Sequence, residues 1–537
     1  MLLQAALLAG AQSIDVLVDA GGAATHAMNP LYMGCHSDSG FVHEVRGWSS
    51  QMVYGESFET PGPKTKAGQA SYAWQPVVSA ALGKLATIAL DANVTFAAQA
   101  SQRISIQAAP PGVGGSAGLA NRGLGNEGMY LQAGKEYEGY FFASSAEPVT
   151  LEARLETTDG RRVLAAQTIA HGGGAGFTQH KFSLTPSAGT ECVGIEPGAD
   201  PSVHCTANSP ASHACIRCGG QFTVALVASS AAAQEVHLDY VVLQPGAWGR
   251  FAGLNARKDV ADTLTRMGVK AIRLGGSFCS VTKNNGAYYQ WQDWTGPVWQ
   301  RKSVGAHWDS YGGDAYNLIG GWGPFEMIDY AVALGAEPII TTTETSTPES
   351  FADLVEYCWA NATRPMGAKR IADGHAEPYK LRFIELGNEQ YNSNYIAQVA
   401  AMEARAKEVG AAGELRYIFP SNDGVTGADV AAAAALGLGA RLVTDVHVGA
   451  GGALPVAQAL FAAHAAGGLT DDSAVNFETN AGSHDHGRAL AEAADLNAFF
   501  SAGEQRVLAR TASFCHGRAG HFDMFDQAIS SFLPNAT

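Results

Sequence analysis

Two different patterns of hydrophobic and polar residues divide the chain. From about residue 60 to 245, apolar and polar positions alternate with a period of two between Gly, Pro and Asn residues, as in VTLEARLETTDG and VHLDYVVLQPG. This alternation is typical of strands with one buried face, so we expect a β-sandwich. Sandwiches often bind carbohydrate through exposed aromatic rings, for which Tyr137, Tyr140 and Phe141 are candidates; packing in the sandwich core is the alternative for each ring.

After residue 250 the pattern changes to apolar helical stripes, each followed by a glycine or loop and a short apolar strand. Val260, Leu264 and Met267 share one helical face, Gly268 is expected to end that helix, and the strand VKAIRL follows. The same order precedes the strands EPIITTT and LRFIEL, with stripes formed by Phe325, Ile328 and Val332 and by Phe351, Leu354, Val355 and Cys358. Such repetition predicts an α/β fold with a parallel sheet closed into a (β/α)8 TIM barrel.

The two patterns together predict a barrel with an inserted all-β domain. Residues 14–59 contain a strand-like SIDVLVDA and a turn-rich MGCHSDSGFVHEVRGW, and we expect them to supply part of the first barrel strand. The sandwich of residues 60–245 then interrupts the barrel, which resumes over residues 246–537. Residues 1–13 have the apolar, small-residue pattern of a signal remnant, without a basic beginning.

Composition narrows the class of protein. Hydrophobic residues make up 46% of the chain and charged residues 16%, and no apolar run reaches the roughly 20 residues that span a bilayer. The 34 Lys and Arg against 50 Asp and Glu give a net charge of −16, which repels phosphate backbones and argues against a nucleic acid partner. An uncharged sugar fits this balance better.

Three Asn-x-Ser/Thr triplets, at Asn93, Asn361 and Asn535, favour an exported, extracellular glycoprotein together with the N-terminal pattern.

Four cysteines lie in one Gly/Pro/Ser/Ala-rich segment; they are Cys192, Cys205, Cys215 and Cys218. A structural zinc with His204 and His213 is one interpretation, but two disulfides in an exported loop need fewer assumptions. The dispersed cysteines, for most of which we expect a role as small buried hydrophobes, are Cys35, Cys279, Cys358 and Cys515.

Two glutamates end predicted barrel strands. Glu389 follows LRFIEL and Glu478 follows VNF, and active sites of these barrels lie at the carboxyl ends of the strands. Glycosidic cleavage needs such a pair, because one carboxyl protonates the leaving oxygen while the other attacks or stabilises the anomeric carbon. Either glutamate alone is equally well explained as a structural ion-pair partner; the pair favours catalysis.

The segments around both glutamates resemble glycoside hydrolase family 51, the α-L-arabinofuranosidases of clan A. RIADGHAEPYKLRFIELGNEQ is similar to the family's acid/base strand, and VNFETNAGSHDHGRALAEAADLN to its nucleophile strand and following helix. AIRLGGS, WQDWTGPVWQR, GAEPIITTT and GESFE extend the resemblance over most of residues 28–59 and 240–533. The ordered set of motifs is specific, although Asn-Glu alone is not.

The resemblance implies a role for each candidate site residue. Glu389 would be the acid/base, Glu478 the nucleophile, and Asn388 would bind the sugar hydroxyl next to the anomeric carbon. Arg273 would support the nucleophile and keep it ionised. His447 would lie near the nucleophile, unless it is only a hydrogen-bonded structural histidine. A looser match makes Asp38 a substrate-binding residue or, equally well, a turn residue.

The expected function is therefore retaining removal of terminal α-L-arabinofuranosyl residues from cell-wall polysaccharides or glycoconjugates, with no cofactor and no metal. Val448 and Gly449 stand where the family commonly has a tyrosine, and Glu344 where the third strand would end in Asn, which puts the sugar specificity in doubt. A β-xylosidase, an endoglucanase or an inactive carbohydrate-binding protein remain alternatives. The chain stops where the family would continue into a C-terminal sandwich, which indicates a truncated gene model or a lost domain.

Overall fold

A computed structural model describes most of residues 29–58, 74–195, 215–478 and 507–514; the longer gaps within these ranges are 38–47, 280–289 and 306–316. Numbered along the chain, its strands are β1 (Met33–Ser37), β2 (Trp74–Val78), β3 (Ala86–Asp91), β4 (Ser101–Ile106), β5 (Ser116–Asn121), β6 (Tyr137–Ser145), β7 (Val149–Thr157), β8 (Val163–His171), β9 (Gly174–Leu184), β10 (Cys192–Ile195), β11 (Cys215–Cys218), β12 (Gly220–Val227), β13 (Gln234–Pro245), β14 (Ala271–Leu274), β15 (Ser303–Gly305), β16 (Asn317–Ile319), β17 (Glu337–Thr341), β18 (Phe383–Glu385), β19 (Arg416–Phe419), β20 (Leu442–Asp445), β21 (Ser473–Asn476) and β22 (Val507–Phe514). The helices are α1 (Lys258–Met267), α2 (Pro324–Leu334), α3 (Pro348–Trp359), α4 (Pro365–Ala372), α5 (Tyr395–Glu408), α6 (Gly427–Ala435) and α7 (Ala453–Ala466).

Eight parallel strands form a closed barrel in the order β1-β14-β17-β18-β19-β20-β21-β22, which confirms the predicted fold. The chain closes the ring where β1 pairs with β22, so its first and last described strands are neighbours. Apolar side chains from successive strands fill the barrel interior, and they include Ala271, Ile339, Phe383, Ile418 and Val443. The barrel is therefore a packed core, and polar chemistry is confined to the strand ends and the few polar interior positions.

Local sequence signals set the helix boundaries. Gly268 and Gly335 end α1 and α2 in the left-handed conformation, with φ of 73° and 77°, which glycine adopts without a Cβ penalty. Helices α2, α3 and α4 each begin with a proline, whose missing N–H costs nothing in the first turn. At the start of α3, the Thr347 side chain accepts a hydrogen bond from the Ser350 N–H at 3.1 Å.

The inserted domain is a sandwich of two five-stranded sheets, β2-β5-β12-β7-β8 and β3-β4-β13-β6-β9. All their pairings are antiparallel, and the buried apolar residues between them include Leu119, Phe141, Leu151, Phe222 and Val236. The sandwich lies in the chain between β1 and β14, as the sequence predicted for an insertion. In the part of the chain that the structure describes, no helix has the length and apolar character needed to cross a membrane.

Several expectations are corrected. The first described strand, β1, lies inside the stretch interpreted as turn-rich, because parallel pairing on both sides stabilises a short segment with weak strand propensity. SIDVLVDA lies outside the described residues. Met267 and Val332 lie in the last turns of α1 and α2 and are 56% and 59% exposed, so they are not part of the buried apolar stripes.

Tyr137 and Phe141 are fully buried, so they are not the exposed sugar-binding rings that the sequence suggested. The alternation of β6 turns both rings into the core between the two sheets. Tyr140 lies one position out of phase with them and is only partly buried. Of the three candidate rings, Tyr140 alone remains available on an outer surface.

A disulfide joins Cys192 and Cys218 across the β10–β11 hairpin, as the disulfide interpretation predicted for this segment. Cys205 and the side chain of Cys215 lie outside the described residues. Cys279 and Cys358 are free and buried, as expected. Cys35 is buried but disulfide-bonded, so it is an exception among the dispersed cysteines, most of which were expected to be small buried hydrophobes.

Candidate active site

Glu389 and Glu478 follow the fourth and seventh strands of the barrel at their carboxyl ends. Glu389 lies just after β18, and Glu478 just after β21. One carboxylate oxygen of each and a ring nitrogen of His447 all lie within 4.8 Å of one another. The side chains are 20% and 21% exposed, so a substrate can reach both. Oxygens this close are compatible with the roughly 5 to 5.5 Å between the carboxyl groups of retaining glycosidases rather than with the wider spacing of inverting enzymes.

Arg273 of β14 lies fully buried beneath the two glutamates. Its Nε and Nη2 donate to the two oxygens of Glu385 at 2.8 and 2.9 Å, a bidentate pair inside the barrel. Its Nη2 also donates to Asn388 Oδ1 at 2.7 Å, and its Nη1 to Glu478 Oε1 at 3.1 Å. Burial lowers the pKa of Arg273, but the negative charges of Glu385 and Glu478 outweigh it and raise that pKa further above its ordinary value. Arg273 is therefore a fixed positive charge that links both strand ends.

His447 lies between the two carboxylates. Its Nδ1 is 3.0 Å from Glu389 Oε1 and 4.0 Å from Glu478 Oε2, and its Nε2 is 2.5 Å from Asp445 Oδ2. Burial lowers the pKa of His447, but Asp445 and Glu478 raise it well above the ordinary value. His447 is thus protonated at neutral pH, with its Nδ1 donating a hydrogen bond to Glu389 and its Nε2 in an ion pair with Asp445.

The electrostatics keep Glu478 ionised. Burial raises the pKa of Glu478, yet the nearby charges of His447 and Arg273 outweigh burial and hold it below its ordinary value. His36 of β1 lies 4.0 Å from Glu478 Oε1. Burial and the Arg273 charge lower the pKa of His36 to about 4, so His36 is neutral at physiological pH and contributes a hydrogen-bonding group rather than a charge.

The backbone at the site is strained. Glu389 and His447 have φ of 52° and 32°, in the left-handed region that non-glycine residues rarely adopt. Gly387, with φ of 120°, makes the turn between β18 and Glu389, and a Cβ there would lie 2.9 Å from Glu344 Cβ. This turn gives the Glu389 side chain a direction that a regular strand end would not give it. Strain of this kind is common at functional sites.

Asn388 is buried, and its amide nitrogen has no hydrogen-bond partner among the described residues. Its Oδ1 is held by Arg273, so the amide plane is fixed while the NH₂ group remains available as a donor. A buried donor without a partner is costly, and a bound hydroxyl would satisfy it. Asp38, the remaining candidate, lies outside the described residues.

Sequence reasoning missed several polar residues beneath this site, namely His36, Thr341, Glu385 and Asp445. The Thr341 hydroxyl donates to Glu385, and the Asp445 carboxylate accepts the Phe477 N–H at 3.1 Å, which fixes the residue before Glu478. The sequence does contain a signal for Glu385 and Asp445. Each is a charged residue within an apolar strand, RFIEL or LVTDV, and such a residue has to be paired inside the barrel.

Two groups of side chains have the spacing of metal ligands: Glu389, His447 and Glu478, and Glu385, Asp445 and His447. Both depend on His447, which must be neutral to bind a metal. Its raised pKa and its contacts with two carboxylates favour the protonated form instead. Arg273 and His447 thus supply the positive charge that these carboxylates need.

Comparison with known proteins agrees with this geometry. Residues 263–421 match the family model of the alpha-L-arabinofuranosidase 1 domain. An extracellular exo-alpha-L-arabinofuranosidase of Streptomyces chartreusis is 24% identical over 306 residues, 52% of this chain and 32% of that protein. An intracellular exo-alpha-L-arabinofuranosidase of Bacteroides ovatus is 30% identical over 138 residues, 25% of this chain and 24% of that protein. Relatives thus include both extracellular and intracellular proteins.

The fold has a counterpart among solved structures. An arabinose-bound family 51 α-L-arabinofuranosidase superposes with a TM-score of 0.64 and 20% identity, over 91% of this chain and 75% of that one. By contrast, the chain spans only about a third of the length of the first curated relatives, 32% and 31%. The family-model match and the curated relatives thus make part of this chain similar in sequence to α-L-arabinofuranosidases, and the chain shares its fold with a family 51 enzyme.

Proposed function

We propose that the chain is a retaining glycoside hydrolase that removes terminal α-L-arabinofuranosyl residues from arabinose-containing polysaccharides or oligosaccharides. The observation that carries the proposal is the pair Glu389 and Glu478, with carboxylate oxygens within 4.8 Å at the ends of two barrel strands. The arabinofuranosidase relatives support the choice of sugar.

Glu478 is the nucleophile. Its lowered pKa keeps the carboxylate ionised at neutral pH, and Arg273 holds one of its oxygens at 3.1 Å. The other oxygen attacks the anomeric carbon, the glycosidic bond breaks, and a covalent arabinosyl–Glu478 ester forms. The fixed charges of Arg273 and His447 are already in place and require no reorganisation during this step.

Glu389 is the acid/base. Two carboxylates this close resist simultaneous ionisation, and the reaction requires Glu389 to hold a proton while Glu478 is ionised. Glu389 gives that proton to the leaving oxygen and then removes one from the water that hydrolyses the ester. The hydrogen bond from His447 at 3.0 Å fixes the orientation of its carboxyl group.

Asn388 binds the substrate hydroxyl next to the anomeric carbon. Its buried NH₂ group has no partner in the described part of the chain, and Arg273 fixes the opposite end of the amide. A hydroxyl in this position would complete the hydrogen bonding of Asn388. Interactions of this kind strengthen as the sugar approaches the oxocarbenium-like transition state.

A panel of nitrophenyl glycosides tests the function, using the purified chain with Glu389→Ala, Glu478→Ala and, as a control, Glu408→Ala. Glu408 is a half-exposed surface carboxylate that pairs with Arg364. We expect the α-L-arabinofuranoside to be cleaved, with activity lost in Glu478→Ala, reduced about 10²- to 10⁴-fold in Glu389→Ala and retained in Glu408→Ala. Cleavage of the β-D-xyloside alone would refute the sugar assignment, and full activity in either active-site variant would refute the assigned roles.

We further propose that the protein is exported and glycosylated. The Cys192–Cys218 disulfide requires an oxidising compartment, and Cys35 is also disulfide-bonded. Asn93 and Asn361, each in an Asn-x-Ser/Thr triplet, are exposed. Expression in a secreting host should yield extracellular protein that loses mass on deglycosylation, and retention inside the cell without glycan would contradict export.

A further inference from the structure

A groove runs along the outer face of the sandwich sheet formed by β3, β4, β13, β6 and β9. In the register of this sheet, Glu138 lies between Ser183 and Gln244, and Tyr140 lies opposite Lys181. The groove has a volume of about 750 Å³, within the range of pockets that bind small ligands. It is separate from the glutamate pair, because none of its lining residues belongs to the barrel strand ends.

Aromatic rings form one wall of the groove. Tyr140 of β6 and Trp299 of the barrel meet edge to face, with ring centroids 5.9 Å apart and an interplanar angle of 81°. Trp299 also packs on Phe142 at 5.2 Å, so its position against the sheet is fixed. Both Tyr140 and Trp299 remain partly exposed, which leaves apolar ring surface available to the C–H face of a sugar.

Hydrogen-bonding side chains also line the groove. Glu138 is paired with Arg250 at 2.7 Å, and Glu136 accepts a hydrogen bond from Ser183 at 2.6 Å. Over the residues that the structure describes, the side chains of Gln179 and Lys181 make no hydrogen bond or ion pair, although both line the groove. Donors and acceptors thus line the groove together with the two aromatic rings.

We propose that this groove is a second, non-catalytic site that binds a neutral oligosaccharide segment of a polysaccharide. Aromatic surface combined with amide and hydroxyl groups fits a sugar, which has an apolar C–H face and a rim of hydroxyls. Of the two glutamates in the groove, Glu138 is paired with Arg250, so the groove carries no net positive charge that would favour an acidic polymer or a phosphate.

The groove has a structural connection to the catalytic end of the barrel. Trp299 belongs to the long segment that leaves the barrel after β14, the strand that carries Arg273. One wall residue of the groove therefore belongs to a segment that starts at the carboxyl end of a barrel strand. The effect on polymer hydrolysis rests on the proposed function, whereas binding in the groove does not.

Binding is measured by affinity electrophoresis and calorimetry in a Glu478→Ala background, so that no substrate is consumed. The probes are arabinoxylan, arabinan and, as an acidic polymer, polygalacturonate. The groove variants are Gln179→Ala/Lys181→Ala, which alters exposed or partly exposed side chains, and Trp299→Ala. The control is Thr168→Ala, an exposed residue of β8 in the opposite sheet.

We expect a neutral polysaccharide to bind, the groove variants to weaken binding about tenfold, and Thr168→Ala to leave it unchanged. Three results in the Glu478→Ala background would each overturn the proposal. They are equal binding by the groove variants and the control, no binding of any neutral polysaccharide, and a preference for polygalacturonate. Loss of nitrophenyl arabinofuranoside activity in the chain with intact Glu478 would count against the proposed function alone.

With Glu478 present, the groove variants should hydrolyse nitrophenyl arabinofuranoside like the unmodified chain, but show a KM for the polysaccharide raised about five- to tenfold with kcat unchanged. Uniform loss on both substrates would instead indicate a structural defect and contradict a binding role. The ratio of the two KM values therefore separates polymer binding from catalysis.

Discussion

Arg273 is a buried cation that serves three carboxyl or amide groups at once. It forms a bidentate pair with Glu385, fixes Asn388 and contacts Glu478. Such a charge is stable inside a barrel only because every donor has a partner. The same contacts that satisfy the buried guanidinium also preorganise the residues on which the proposed reaction depends, so stability and activity are coupled at this residue.

Replacement of Arg273 should therefore affect both properties. In Arg273→Met, Glu385 is left buried without its cation, and we expect the free energy of unfolding to fall by about 3–5 kcal/mol in urea titrations. Loss of the positive charge also raises the pKa of Glu478, so the acidic limb of the kcat/KM profile should move up by about one pH unit. Arg273→Met/Glu385→Met should regain stability but not activity; recovery of both would refute a role for Arg273 at Glu478.

His447 gives a pH-dependent contribution whose sign follows from its raised pKa. A group with a folded pKa above the unfolded value of 6.5 stabilises the fold fully below that value, and the contribution is lost as pH rises through the folded pKa. We expect the stability difference between the unmodified chain and His447→Gln to be constant near pH 5 and to shrink in the alkaline range. Urea unfolding across that range measures it, and a difference that grows with pH would contradict a charged His447.

At the scale of secondary structure elements, the turns after β18 and β20 decide the geometry of the site. Each presents a non-glycine residue with positive φ, Glu389 and His447, just beyond a short buried strand. Strain of this kind costs about 1–3 kcal/mol per residue and persists because the surrounding barrel holds the turns in place. The position of Glu389 depends on residue 387 being a glycine, because only glycine adopts the φ of 120° found at Gly387 without strain.

Gly387→Ala should damage the site, and Gly374→Ala is its matched control. Both glycines have positive φ, 120° and 106°, but a new Cβ meets Glu344 at 2.9 Å in the first and nothing within 4 Å in the second. We expect each variant to lose about 1 kcal/mol of stability from the backbone, with a further loss and at least a tenfold fall in kcat only in Gly387→Ala. Equal activity in the two variants would show that this turn does not position Glu389.

The elements also show which parts of the fold the sequence predicts. Long alternating strands such as β7 and β13, and the stripe of α3, were predicted because local pattern and burial coincide. The strand β1 was not, because MGCHS has no local strand signal and is stabilised only by pairing with β14 and β22. The glutamate pair was found because its motifs are local, whereas Glu385 and Asp445 act through partners far along the chain.

At the scale of the whole molecule, the sandwich is an insertion between the first and second barrel strands. Its two sheets have their own apolar core, so it is stabilised largely apart from the barrel. Strands β10 and β11 pair antiparallel, and the Cys192–Cys218 bridge between them spans a sequence separation of 26. Because a disulfide restricts the unfolded chain more as the loop lengthens, this bridge should matter for the sandwich and not for the active site.

Removal of the bridge in Cys192→Ala/Cys218→Ala should lower the stability of the sandwich by about 3 kcal/mol. Calorimetry should show its transition at lower temperature, while hydrolysis of a nitrophenyl arabinofuranoside at low temperature is unchanged. Cys358→Ala, which removes a buried free thiol of the barrel, is the control and should leave the sandwich transition in place. An unchanged sandwich transition in the double variant would contradict a stabilising bridge.

The central claim is that Glu478 attacks the anomeric carbon while Glu389 donates and later accepts the proton. Mass spectrometry of Glu389→Ala incubated with nitrophenyl α-L-arabinofuranoside tests this claim most directly. Nitrophenolate leaves with little protonation, so the first step should proceed, while the second step stalls without its base. The account predicts a protein adduct of one arabinosyl unit, located by peptide analysis on Glu478. Turnover with no adduct and with inversion at the anomeric carbon, or an adduct on another residue, would contradict it.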